Sequence, residues 1–231
     1  MIGFIDTPRR LRSKKQQFNR TIILGDCVDK LQEMGAQSVH LTITDPPYVV
    51  NYQSRDGRQI LGDTATNWIY PAFNEIYRVL VPNSLCISFY GWNQIDEFMI
   101  AWKKAGFRPV GHIVWKKAYV SNARYLSYTH EQAYLLAKGR PLLPKHPLHD
   151  VQAWQYSGNK LHPNEKSPKI LEPLIRSFSK VGDVVLDPFC GSASTAIAAL
   201  RNRRQFIGIE KDSRYHEIAV NRLNRFSRSI S

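Results

Sequence analysis

Short apolar runs alternate with amphipathic stretches along most of the chain. The runs Thr21–Gly25, Val39–Thr44, Ser84–Tyr90, Val110–Trp115, Glu131–Ala137, Asp183–Leu186 and Gln205–Ile209 are compact, and several are rich in β-branched residues. That pattern predicts strands covered on both faces. Between them, Trp68–Leu80, Gln94–Ala105, Pro168–Ser179, Ser194–Arg203 and Ser213–Phe226 carry apolar residues at helical spacing. Leu171, Leu174, Ile175 and Phe178 fall on one face, and Tyr215, Ile218, Ala219 and Arg222–Leu223 on another. Strand–helix alternation of this kind predicts an α/β fold, a doubly wound and mostly parallel sheet of seven strands. Ligands of such sheets bind outside the carboxyl ends of strands, so the residues just after each strand should carry the chemistry. One stretch breaks the alternation. Gly139–Lys160 holds Pro141, Pro144, Pro147, Trp154 and Tyr156 without a clean period, and reads as a small irregular insertion.

The length, 231 residues, suits one sizeable domain, expected over 21–231 after a basic arm at 1–20. A hydrophobic content of 43% excludes a disordered chain. No apolar run is long enough to span a bilayer, and the start MIGFIDTPRRLRSKK does not have the order of a secretory signal. Cys27, Cys86 and Cys190 form no C-x-x-C pair, which argues against a disulfide framework or a cysteine zinc site and for a reducing cytoplasm. His146 and His149 have helical metal spacing but sit beside Pro144 and Pro147 with no further ligand, so no metal is expected.

Charge changes the picture more. Lys plus Arg is 32 against 19 acidic residues, a net +13, which points to a polyanionic partner, nucleic acid before anionic lipid. The arm carries Arg9, Arg10, Arg12, Lys14, Lys15 and Arg20 against Asp6 alone. Between Lys103 and Lys145 the only acid is Glu131, and Tyr119, Tyr125, Tyr128 and Tyr134 are interleaved with the bases. That mixture suits phosphate contact and base stacking, with Tyr134 better read as a half-buried strand residue. Lys116, Lys138, Arg140 and Lys145 are the candidate DNA contacts. A third basic group, including Arg222 and Arg225, follows on the last helix.

Two strand ends are chemically distinctive. Asp45-Pro46-Pro47-Tyr48 follows the second apolar run. Two prolines remove two N–H donors and stiffen the backbone, leaving a carboxylate and carbonyl acceptors beside an aromatic ring. Such a corner suits a planar group bearing an NH₂. Asp45 and the Pro46 carbonyl could accept both amine hydrogens, turning the lone pair out of the plane, while Tyr48 stacks on the ring. The second end is Asp187-Pro188-Phe189-Cys190-Gly191-Ser192-Ala193-Ser194, a small-residue turn opening a helix, where backbone N–H groups can meet an anionic ligand. One strand later comes Glu210, at the spacing of an acid that bonds ribose hydroxyls.

Together these blocks resemble the S-adenosylmethionine-dependent DNA amino-methyltransferases. With D-P-P-Y first and the cofactor turn last, the order resembles their permuted beta class. The likeness runs from about Ile22 to Leu223. It implies a Rossmann-like methyltransferase fold with circularly permuted motif order, and S-adenosylmethionine as cofactor. Leu24-Gly25-Asp26-Cys27 resembles the family's G-D-C turn, and His162-Pro163-Asn164-Glu165-Lys166-Ser167-Pro168 its H-P-x-x-K-P block, with Ser167 intruding before the proline. The resemblance assigns Asp26, Cys27, His162, Lys166, Asp187, Phe189, Gly191, Ser192 and Glu210 to the cofactor, and Asp45, Pro46, Pro47 and Tyr48 to catalysis. Ala193 stands where a second glycine is usual, which is expected to be harmless if its φ is negative. Cys190 is read as packing, because transfer to an amine needs no covalent intermediate.

The implied reaction is methyl transfer to an exocyclic amine of a base flipped from double-stranded DNA. An opening Asp favours adenine N6, with cytosine N4 the alternative. An RNA base methyltransferase and an inactive DNA-binding relative are the competing readings. Recognition is expected in Gly139–Lys160, helped by the Asn51–Asn67 loop, and no membrane partner is implied. Monomer and homodimer stay open.

Overall fold

The computed structural model describes residues 20–48, 66–123, 125–158 and 165–229. Residues 1–19 of the expected arm, His162 and most of the Asn51–Asn67 loop lie outside them, while Arg20, the arm's last residue, opens the first strand.

The strands are β1 (Arg20–Leu24), β2 (Val39–Thr44), β3 (Leu80–Phe89), β4 (Arg108–Lys116), β5 (Asn122–Ala123), β6 (Ser127–Tyr128), β7 (His130–Lys138), β8 (Val151–Ala153), β9 (Val184–Asp187) and β10 (Gln205–Glu210). Helices α1 (Cys27–Gln32), α2 (Ile69–Val79), α3 (Ile95–Ala105), α4 (Pro168–Phe178), α5 (Ser194–Arg201) and α6 (Ser213–Ser229) lie between them. The main sheet runs β1-β10-β9-β2-β3-β7-β4-β8, with β7 antiparallel to both its neighbours.

All seven predicted strands are present, but the sheet has eight. The extra one, β8, comes from the supposedly irregular insertion and adds in parallel to the β4 edge, Val114 facing Val151. Preceded by three prolines and only three residues long, it had no period to show.

Helix termini follow local chemistry. Asp26 accepts the Val28 N–H to open α1, Pro168 occupies the first turn of α4, and Gly106, at φ 103°, closes α3 in the left-handed region. Each face of the sheet buries its own core. Leu31, Phe73, Ile76, Phe98 and Trp102 pack on one side, and Leu171, Leu174, Ile175, Ile197 and Leu223 on the other.

The topology places the site. From β2 the chain turns through α2 to β3, and from β9 through α5 to β10 on the opposite side. β2 and β9 are hydrogen-bonded neighbours, Leu41 facing Val185 and Thr42 facing Leu186. The switch point therefore lies between them, and a crevice opens where the Asp45 and Asp187 turns diverge.

Candidate active site

Asp45 leaves the end of β2 into a small polar cluster. The Tyr48 hydroxyl donates to its Oδ1 at 2.7 Å, and the Lys166 Nζ donates to its Oδ2 at 2.6 Å. Lys166 lies just ahead of α4, its side chain only 8% exposed, with its ammonium 5.0 Å from the Phe89 ring centroid and 5.7 Å from that of Tyr48. Burial pushes the Asp45 carboxyl up, and Lys166 and Tyr48 pull against it. Burial also works against the Lys166 charge, but Asp45 and Glu131 outweigh it and hold the ammonium above its ordinary range. Pro46 is buried and Pro47 half-buried, so the turn is rigid. The resemblance assigns Lys166 to the cofactor; in the structure its charge is engaged by Asp45.

The Asp187 turn is built differently. The Asp187 carboxylate faces inward, accepting from Thr195 Oγ1 at 2.6 Å and from the Phe189 N–H at 3.2 Å. These bonds tie the turn to α5. Burial lifts this carboxyl to about 7 from an ordinary 3.8. The folded protein thus keeps a proton that the unfolded chain releases, so this group costs stability progressively as pH rises from about 4 to about 7, and fully above that. Asp187→Asn cannot ionise, and its melting temperature is expected to fall less between pH 5 and pH 8 than that of the unsubstituted protein. Parallel slopes in thermal scans would show that Asp187 does not hold the proton.

Ala193 departs from expectation. Its φ is 66°, in the left-handed region, rather than negative. That costs an alanine about 1 kcal/mol. The methyl is fully buried against the core, and the Ala193 N–H bonds the Cys190 carbonyl at 2.8 Å, so packing holds the turn in place. Cys190 is buried too, and burial drives its thiol well above the ordinary range, as befits a packing residue.

Glu210, at the end of β10, accepts from the Gly191 N–H at 2.8 Å and the Asp212 N–H at 2.9 Å. Its backbone carbonyl takes the Gly25 N–H, which sets Asp26 on the neighbouring strand end. Burial works against the Asp26 charge, but Lys211, donating from 3.0 Å, and the Val28 N–H bring the carboxyl below its ordinary value. Cys27 is buried at the start of α1, its thiol pushed up to about 12 by burial. Phe189 meets the edge of Trp68 at 5.1 Å. Two carboxylates on adjacent strand ends beside an aromatic wall form a cradle suited to ribose hydroxyls and a purine.

Sequence reasoning missed Arg222. Half-buried on α6, it bonds the Ser192 carbonyl at 2.9 Å, the hydroxyls of Ser192 and Ser194, and Glu165 at 2.9 Å. It clamps the turn to the segment carrying Lys166. The available signal was an arginine on the apolar stripe of a helix, where a charge needs partners. The basic residues also separate. Exposed Lys116 ends β4 on the catalytic edge. Lys138 and Arg140 belong to the opposite edge from Asp45. Lys138 faces Ser84 near the start of β3 and donates to the Tyr77 and Leu80 carbonyls at 2.6 Å each, and the Arg140 N–H bonds Asn83. Lys145 is exposed within the segment between Arg140 and β8.

Residues 39–221 match the DNA methylase family that groups N6 and N4 enzymes. The chain belongs to the N6/N4 DNA methylase family. An Escherichia coli (strain K12) protein provisionally named methylase YubD is 51% identical over 208 residues, covering 90% of this chain and 92% of its own. The DNA adenine methyltransferase YhdJ of the same strain is 28% identical over 247 residues, covering 89% and 83%. TTHA0409 of Thermus thermophilus, solved with S-adenosyl-L-methionine, shares the fold at a TM-score of 0.69 and 24% identity, with 90% of this chain and 94% of that one covered. This DNA methylase has the Rossmann-like methyltransferase fold of that solved structure. Among the described residues no group of His, Cys, Asp and Glu could hold a metal ion, and no helix is long and apolar enough to cross a membrane.

Proposed function

We propose that this methylase transfers a methyl group to the N6 amine of adenine in a base flipped out of duplex DNA. The observation that carries the reading is the Asp45 carboxylate, fixed between Tyr48 and Lys166 at the mouth of a rigid double-proline turn. Asp45 and the Pro46 carbonyl accept the amine's two hydrogens and direct its lone pair out of the ring plane, and Tyr48 flanks the ring. To admit the amine, one of Asp45's present partners must yield its place. Asp26, Phe189, Gly191 and Glu210 hold S-adenosylmethionine, which supplies an electrophilic methyl group when bound. Arg222 and Asp187 keep the turn in shape rather than touching the ligand. Positioning and fixed charges, with no covalent intermediate, account for the rate.

Adenine is favoured over cytosine because an Asp opens the tetrapeptide and because one relative is named for adenine. The methyltransferase domain spans 21–231, and recognition belongs to 139–160 with the loop after Tyr48. β8 commits part of that segment to the sheet, which leaves few side chains to reach base edges and favours a short recognition sequence. Lys116 contributes a phosphate contact from the catalytic edge.

Incubation with labelled cofactor, followed by nucleoside analysis, tests the reading. Label is expected in N6-methyladenine from duplex DNA. Label confined to 4-methylcytosine would overturn the base, and transfer to structured RNA alone would overturn the acceptor.

A further inference from the structure

Beyond its eight-stranded sheet the protein carries a short arm. Past the Lys116–His130 pair, β4 and β7 continue as the two-stranded hairpin β5–β6, Asn122 facing Tyr128 and Ala123 facing Ser127. Because Lys116 stands at the carboxyl end of β4, the hairpin projects from the same edge as Asp45. Its root is fixed by the Lys117 N–H on the Thr129 carbonyl at 2.7 Å and the Ser121 N–H on the Tyr128 carbonyl at 2.9 Å. Its flank is fixed by the Tyr128 ring stacked on Trp92, 6.0 Å between centroids and 22° between planes. Trp92 follows Gly91, whose backbone lies so close to Tyr48 that an added Cβ would stand 2.9 Å from the tyrosine's Cβ. A contiguous line of contacts therefore runs from the hairpin to the catalytic ring.

The tip reverses the usual economy of a surface turn. Tyr125 is 102% exposed and Leu126 70% exposed, so an aromatic and an aliphatic side chain stand in water beside the site. Adjacent large apolar side chains held out on a projecting arm mark a place where a partner can bury them. Here the neighbouring charge is basic: exposed Lys116 lies at the arm's base, within a chain of net +13.

We propose that Tyr125 and Leu126 form a wedge that enters the stack of duplex DNA at the target step and fills the space the flipped base vacates. The inference rests on the base-flipping reading above. Extrusion leaves an unstacked gap, and an apolar wedge stabilises the opened duplex without reading its sequence. Tyr125 stacks on the base left behind, and Leu126 packs into the gap.

The experiment compares the full-length enzyme with Tyr125→Ala/Leu126→Ala and with Tyr125→Phe. Two duplexes are used, both carrying the site located by sequencing methylated plasmid DNA: one fully paired, one with an abasic position opposite the target. Both substituted positions are solvent-exposed, so cofactor affinity and melting temperature should be unchanged. The double variant is expected to lose roughly ten- to a hundredfold in single-turnover methylation of the paired duplex. It should recover most of that loss on the unpaired target, while Tyr125→Phe stays near the unsubstituted rate. With 2-aminopurine at the target, the fluorescence rise on binding should shrink in the double variant alone. An equal loss on both duplexes, no loss on either, or a shift in oligomeric state would overturn the wedge. The base-flipping reading fails separately, if the unsubstituted enzyme produces no fluorescence rise.

Discussion

Asp45→Asn is expected to lower kcat by about 10³-fold or more while leaving cofactor affinity within a few-fold, measured by single-turnover transfer and by calorimetry. The amide has one acceptor where the carboxylate has two, and its NH₂ would meet the target amine donor to donor. Stability should suffer as well. Lys166 Nζ lies 2.6 Å from Asp45 Oδ2 with its side chain 8% exposed, and removing its partner leaves a buried ammonium unpaired, at a cost of about 3–5 kcal/mol. The double variant Asp45→Asn/Lys166→Met separates the two effects: the melting temperature should recover while methyl transfer does not. Recovery of both would remove Asp45 from the chemistry.

Lys166→Met alone is expected to show its defect as a pH dependence. With the ammonium gone, burial acts unopposed on Asp45 and raises its carboxyl further. A protonated carboxyl is a poor acceptor for an amine hydrogen, so kcat/KM should drop about ten- to a hundredfold near pH 7. It should climb as pH rises and Asp45 ionises, so that the ratio to the unsubstituted enzyme narrows. Lys166→Arg, which keeps the charge, should restore much of the neutral-pH rate. A loss constant across pH would mean that Lys166 serves the cofactor rather than Asp45.

How much could be read from residues alone follows a physical divide. Strands buried on both faces are continuous apolar runs, and long amphipathic helices repeat at their own period, so the seven long strands and five of the helices were visible. The six-residue α1 hid behind its capping Asp26, which reads equally well as a ligand turn. β8 and the β5–β6 hairpin are too short for any period. The strand ends bearing Asp45 and Asp187 were legible because proline, glycine and carboxylate clusters are chemically unusual. What joins them was not. Lys166 reaches Asp45, and Arg222 reaches Ser192 and Glu165, through the fold, and no spacing rule encodes such contacts. The same holds for Lys138: it sits in a basic stretch, and its ammonium bonds the Tyr77 carbonyl of α2 and the Leu80 carbonyl that opens β3. Ala193 shows a subtler limit, since tertiary packing chose the sign of its φ.

The pairing of β1 with β10 has a consequence for how the molecule could be rebuilt. α6 returns across β1, His216 meeting the Ile22 carbonyl at 3.2 Å and Arg20 bonding Ser227, so the first described strand and the last helix finish side by side. Traced from Arg20 to Ser229, the order of the described elements is close to a ring, and a linker joining β1 to α6 could close it. A fresh cut in an exposed stretch such as 140–150 would then yield a chain whose two strand-end turns come in the reverse order, around an unaltered crevice. Motif order in such a protein records where the ring was opened; the neighbouring strands β2 and β9 decide what meets in the middle.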